Sequence, residues 1–95
     1  MITNTLLIKL KDESIENIEK ARSVLLSMEG EIEVLQGLQV EANIRHERSS
    51  YDIILITRFS TMEDLEAYLI HPFHVEVQKY IAGVIESGAS VCFGE

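Results

Sequence analysis

The chain has 95 residues, 46% of them hydrophobic, and carries eight Lys+Arg against sixteen Asp+Glu for a formal net charge of -8. A chain this short holds one modest core, so residues 1–95 are expected to form a single domain. The charge is repelled by polyphosphate backbones and anionic lipid headgroups, and no basic cluster interleaved with aromatics offsets it, so neither nucleic acid nor a membrane is an expected partner.

Cys92 is the one cysteine, which rules out an internal disulfide. The opening "MITNTLLIKLKDE" has too short an apolar run, no basic lead-in and no small-residue cleavage site, so no signal peptide is expected and a reducing cytoplasm is the expected setting. No cofactor is expected, because the glycines of "GEIEVLQG" lack the pattern of a phosphate loop.

In chain order, residues 3–10 alternate with Leu6, Ile8 and Leu10 on one face and Thr5 and Lys9 on the other, the period of a half-buried strand. Ser14 caps a helix predicted to run to about Met28, with Ile18, Ala21, Leu25 and Met28 as its inward stripe and Gly30 as a left-handed stop. Val34 to Ile44 alternate again, with Gly37 marking a bulge or bend. After the polar turn "HERSS", residues 51–59 form a strand with Ile53, Leu55 and Phe59 on one side and Ile54 and Ile56 on the other. Ser60 and Glu63 form a capping box for a short helix through Ile70. Pro72, the only proline, pushes the residue before it out of helical geometry and suits a first helical position, so a new helix is predicted from Pro72 to about Glu86. Gly88 ends it, and "SVCFG" is an edge strand.

Strand, helix, strand, strand, broken helix, strand is the order of an α+β, ferredoxin-like fold, βαββαβ, with helices on one face of a four-stranded antiparallel sheet. The other face is left bare with Ile54 and Ile56 on it, an apolar patch that implies a homodimer of stacked sheets. Cys92, between Val91 and Phe93, is expected on that partner-facing side as a small inert hydrophobe.

The stretch "YLIHPFH" concentrates the chemistry. His71 takes the cap position and His74 the third position of the last helix, in line with Val77 and Ile81, so His74 is expected to look inward. The positive end of the helix and an apolar surround both disfavour imidazolium, which leaves a neutral imidazole able to accept a proton. Tyr68 is expected to face the same space, donating to a developing oxyanion or orienting the ring. The plain alternative is structural: His74 bonded to a backbone carbonyl, Tyr68 an amphipathic core residue, and His71 a cap. His71 and His74 also share a spacing open to metal, but with no carboxylate or thiolate suitably placed no metal site is expected. His46, beside Glu47 and Arg48, is expected to be solvated.

"YDIILITRFSTMEDLEAYLIHPFHVEVQKYI", residues 51–81, resembles the signature segment of the stress-responsive A/B barrel (Dabb) domain, in which a Tyr is followed shortly by His-Pro-x-His. The opening "LLIKLKDE" is similar to that family's first strand and turn. The likeness covers nearly the whole chain and is weakest over residues 31–46. It implies a dimeric α+β barrel. Most members have no assigned reaction and are known as stress-associated proteins, and a minority are enzymes. Plant polyketide cyclases of the family perform an intramolecular aldol closure with the second His of the motif as base and the Tyr as partner, positions that correspond here to His74 and Tyr68. Those cyclases carry a pocket-facing His on the first strand where this chain has Asn4, which can hydrogen-bond but cannot exchange protons, so the cyclase reaction itself is not carried over. Other families of this barrel plan include small monooxygenases, and fold alone does not separate them.

The expected pocket walls are Asn4, Leu6 and Ile8 from the first strand, Leu55 and Thr57 from the third, and Leu25, Val77 and Ile81 from helices, with His71 at the edge. Such walls suit a small hydrophobic carbonyl compound better than a sugar or nucleotide. Three functions follow: acid/base chemistry with His74 as base, binding of a hydrophobic ligand without chemistry, or a purely structural stress-associated dimer.

Overall fold

Two central strands with opposite faces set the architecture. The computed structural model describes residues 1–94, in the order β1 (Ile2–Leu10), α1 (Ile15–Leu26), β2 (Gly37–Ala42), β3 (Ile53–Phe59), α2 (Met62–Ile70), α3 (Pro72–Val84) and β4 (Ile85–Gly94). The strands pair antiparallel in the order β2-β3-β1-β4, the ferredoxin-like arrangement predicted from the element order. Among the described residues no helix is long and apolar enough to cross a membrane.

On the helix side, Leu6 lies opposite Leu55 and Ile8 opposite Ile53, while Val40 of β2 extends the row across Leu55. Ile8, Ile53, Leu55, Phe59 and Val40 are buried there against Ile18, Ala21 and Leu25 of α1, Leu65 and Tyr68 of α2 and Val77 and Ile81 of α3. Each fully buried aliphatic side chain of this kind contributes about 1.5–3 kcal/mol, which is what holds three helices on one face.

The opposite face has no helix. Leu7, Ile54 and Ile56 are half-buried there, and the register extends their row to Ala89, Val91 and Phe93 of β4. Val91 is 64% exposed and Phe93 49%. Cys92 does not join them. It pairs with Asn4 and therefore points to the helix side, because neighbours on a strand project to opposite faces; the sequence reading had placed it with Val91 and Phe93.

Several boundaries differ from those predicted. α1 stops at Leu26, and Gly30, at φ 79, closes the turn that follows rather than the helix itself. The cap of α2 is Thr61, whose hydroxyl accepts from the Asp64 N–H at 3.1 Å, not Ser60 with Glu63. β2 begins at Gly37, and Val34 and Leu35 pack from the preceding loop. The bulge lies not at Gly37 but in the β1/β4 ladder, between Lys9 and Leu10. α3 ends at Val84, and β4 starts at once with Ile85 and runs ten residues. Gly88 is thus inside a strand: a Cβ there would stand 3.2 Å from the Leu7 carbonyl oxygen and 3.2 Å from Ile85 Cδ1, so glycine is needed for close approach and not for helix termination.

Asp52, just before β3, was not singled out in the sequence. Its buried carboxylate accepts from the Leu10 N–H at 2.8 Å, beside the register shift, while its own N–H donates to the Ile8 carbonyl at 2.8 Å. Burial raises its pKa above 3.8, and the Leu10 N–H opposes that rise.

Candidate functional site

The site is assembled at the break between α2 and α3. His71, with φ -63 and ψ 134, is extended because Pro72 follows it. Its Nδ1 accepts from the Phe73 N–H at 3.1 Å, which caps α3, and its Nε2 lies 3.6 Å from a carboxylate oxygen of Glu33. The break therefore fixes the first turn of α3 and with it the starting direction of His74.

His74 Nδ1 lies 3.1 Å from the Leu69 carbonyl oxygen. A carbonyl can only accept, so in the neutral ring the hydrogen resides on Nδ1 and Nε2 keeps its lone pair. Burial lowers the ring's pKa below 6.5 and nearby His71 lowers it further, while the bond to Leu69 works the other way. The neutral form expected from the sequence is thus favoured, with burial as the leading cause.

Tyr68 is 2% exposed. Its ring packs in a tilted contact on His74, at 4.3 Å and 46°, and on Phe59, at 5.0 Å and 54°. Its hydroxyl donates to the sulfur of Met28 at 3.6 Å, and burial alone pushes the phenol up to about 12. The side chain is a neutral ring that holds His74 from one side.

Between helices and sheet, a cavity of about 60 Å³ opens beside these rings. Of the expected walls, Leu6, Ile8, Leu25, Leu55, Val77 and Ile81 line it together with Tyr68 and His74. Asn4, Thr57 and His71 do not. Asn4 and Thr57 face each other two positions further along the sheet, where the Thr57 hydroxyl donates to the Asn4 carbonyl at 3.4 Å, and two strand residues span about 7 Å, beyond so small a space. His71 is spent on the cap and Glu33. Met28 and Gln78 line the cavity and were not named as walls. Met28 was legible as the last residue of the inward stripe predicted for the first helix; Gln78, four residues after His74, shares its helix face, and that spacing was the available signal.

A larger hollow of about 380 Å³ lies among Leu7, Glu41, Ser49, Tyr51 and Ile54 on the helix-free side. It contains no imidazole or thiol, so the small cavity with the neutral base is the better candidate. Among the described residues no group of three or more His, Cys, Asp or Glu could hold a metal ion.

The family model of the stress responsive A/B barrel domain matches residues 2–93. The chain belongs to the Dabb family. Solved structures agree in fold. A dimeric protein of unknown function and ferredoxin-like fold from Bacteroides fragilis superposes with a TM-score of 0.84 at 24% identity, over 99% of this chain and 95% of that one. A dimeric ferredoxin-like protein of unknown function from Thermobifida fusca gives 0.87 at 20% identity, over 99% and 90%. Hydroxynitrile lyase from Passiflora edulis gives 0.83 at 10% identity, over 97% and 90%. At such identities the likeness concerns fold alone. No curated protein matches. Tyr68 and residues 71–74 lie together beside the cavity, joined by the Tyr68–His74 ring contact and the His71 cap.

Proposed function

We propose that this Dabb chain is a small-molecule acid/base protein in which His74 Nε2 removes a proton from the carbon next to the carbonyl of a hydrophobic compound. The observation that carries the reading is the 3.1 Å contact between His74 Nδ1 and the Leu69 carbonyl, which commits Nδ1 as donor and leaves Nε2 as the basic atom of a ring lining an apolar cavity. A base must be unprotonated at working pH, and burial of this ring favours that state. Tyr68 serves by ring contact, since its hydroxyl is turned to Met28. An apolar surround strengthens whatever donor meets the developing enolate.

The working unit we propose is a homodimer in the cytoplasm, where the exposed Cys92 stays a thiol. The helix-free face with Ile56, Val91 and Phe93 favours it, as does the likeness to two structures described as dimeric. Sheet on sheet, such an interface is on the order of 1,600 Å² in total.

The volume of about 60 Å³ favours a second reading, in which the cavity holds a small apolar ligand without chemistry. Hydrogen–deuterium exchange at the carbons flanking the carbonyl of butanone, followed by proton NMR in deuterium oxide, separates the two. The base reading expects exchange by the wild type well above buffer and its loss in His74→Ala. Exchange that persists unchanged in His74→Ala overturns it, and saturable binding with no exchange in the wild type leaves the second reading.

A further inference from the structure

Three polar side chains line the cavity: Tyr68, His74 and Gln78. Leu25, Met28, Leu55 and Ile81 give it an apolar floor and walls, and the one hydroxyl among its lining residues, that of Tyr68, is buried and engaged by the Met28 sulfur. The remaining polar side chains are His74 and Gln78, one turn apart on the same face of α3. Gln78 lines the cavity and is exposed, and among the described residues its amide takes no hydrogen-bond partner. A primary amide has two donors; a neutral His74 with its hydrogen committed to Leu69 has none to spare.

Resting on the base reading above, we infer that Gln78 is the donor that holds the carbonyl oxygen of the substrate, and that the substrate is a short aliphatic ketone or aldehyde, or a longer compound presenting such an end. Its apolar tail enters between Leu25, Leu55 and Ile81, its oxygen stays on the Gln78 amide, and the carbon beside the carbonyl lies against His74 Nε2. A space of about 60 Å³ is well under the roughly 150 Å³ of an apolar hole that takes benzene, so the inserted part is about two or three carbons. In the step itself, the C–H bond beside the carbonyl breaks and its proton bonds to His74 Nε2. The electron pair becomes the carbon–carbon double bond, and the carbonyl pair moves onto oxygen as an enolate oxyanion bound by the Gln78 N–H groups. Reversal returns a proton to carbon and regenerates the neutral ring.

Butanone and ethyl methyl sulfide, chains of equal length with and without a carbonyl, test the assignment. Nitrogen-edited NMR should show the Gln78 side-chain amide shifting with butanone. Gln78→Leu should weaken butanone about threefold to tenfold, the factor for one neutral hydrogen bond, while leaving ethyl methyl sulfide within about twofold and the pH midpoint of exchange unchanged. The residue is exposed, so thermal unfolding should not change. If Gln78→Leu alters neither ligand while His74→Ala still removes exchange, the inference fails and the base reading stands. If the wild type binds butanone through Gln78 selectively but catalyses no exchange, the base reading fails and the carbonyl site stands. Failure of the wild type to bind either probe overturns the inferred substrate class.

Discussion

The rings of His74 and Tyr68 lie 4.3 Å apart at 46°, yet the pair is joined by a tilted ring contact and not by a hydrogen bond, because the Tyr68 hydroxyl turns to Met28. Removing that hydroxyl therefore costs little. Tyr68→Phe should keep both ring contacts, lose less than about 1 kcal/mol of stability given the weak thioether acceptor, and retain most of the exchange rate. Tyr68→Ala removes the ring from between Phe59 and His74 and should cost about 3–5 kcal/mol. Urea denaturation and the butanone exchange assay check both; an inactive but stable Tyr68→Phe would show that the hydroxyl is a donor after all.

The pH dependence of His74 has a definite sign. Its pKa is held below 6.5, first by burial and then by His71. The unfolded chain thus takes up a proton at higher pH than the folded one. The stability this residue contributes is full above pH 6.5 and is lost as pH falls from 6.5 through the folded value. By the same shift, the acid limb of exchange should have its midpoint below 6.5. NMR titration of the ring protons checks the direction, and a midpoint at or above the ordinary value contradicts it.

Asp52 fastens the bulged end of β1 through the Leu10 N–H. Asp52→Ala strands that buried donor and should cost about 1–3 kcal/mol. Asp52→Asn keeps an acceptor without a buried charge and should cost distinctly less. Denaturation midpoints of the wild type and both variants at one pH give the comparison; equal losses in the two variants would mean that the charge and not the acceptor matters.

The helix-free face makes the assembly testable. Ile56→Asp or Val91→Asp places a carboxylate in the middle of the proposed interface, where a buried unpaired charge costs several kcal/mol. Sedimentation equilibrium at micromolar concentration should find two chains for the wild type and one for each variant. A wild type that sediments as a single chain removes the dimer from the proposal.

Much of the fold was legible because it follows from local rules. Period-two alternation in residues 3–10 and 51–59 gave both strand faces, Ser14 marked the start of α1, and Pro72 marked the start of α3. The boundaries that moved were set by partners distant in sequence. Ile85 extends because β1 offers it a pairing position opposite Leu10, which lengthens β4 past Gly88. Asp52 matters only because the chain brings Leu10 to its carboxylate across 42 positions.

The candidate site divides in the same way. The amino-acid order alone determined that His71 caps a broken helix and that His74 starts its inward face, since a proline and a 3.6-residue period act within a few neighbours. Only the tertiary structure decided which side chains share the cavity, that Tyr68 gives its hydroxyl to Met28 forty positions away, and that Gln78 joins the lining. A hydrogen-bond partner or a cavity wall is a property of the packed assembly: it depends on side-chain positions fixed to within a few tenths of an ångström, which periodicity along the chain does not specify.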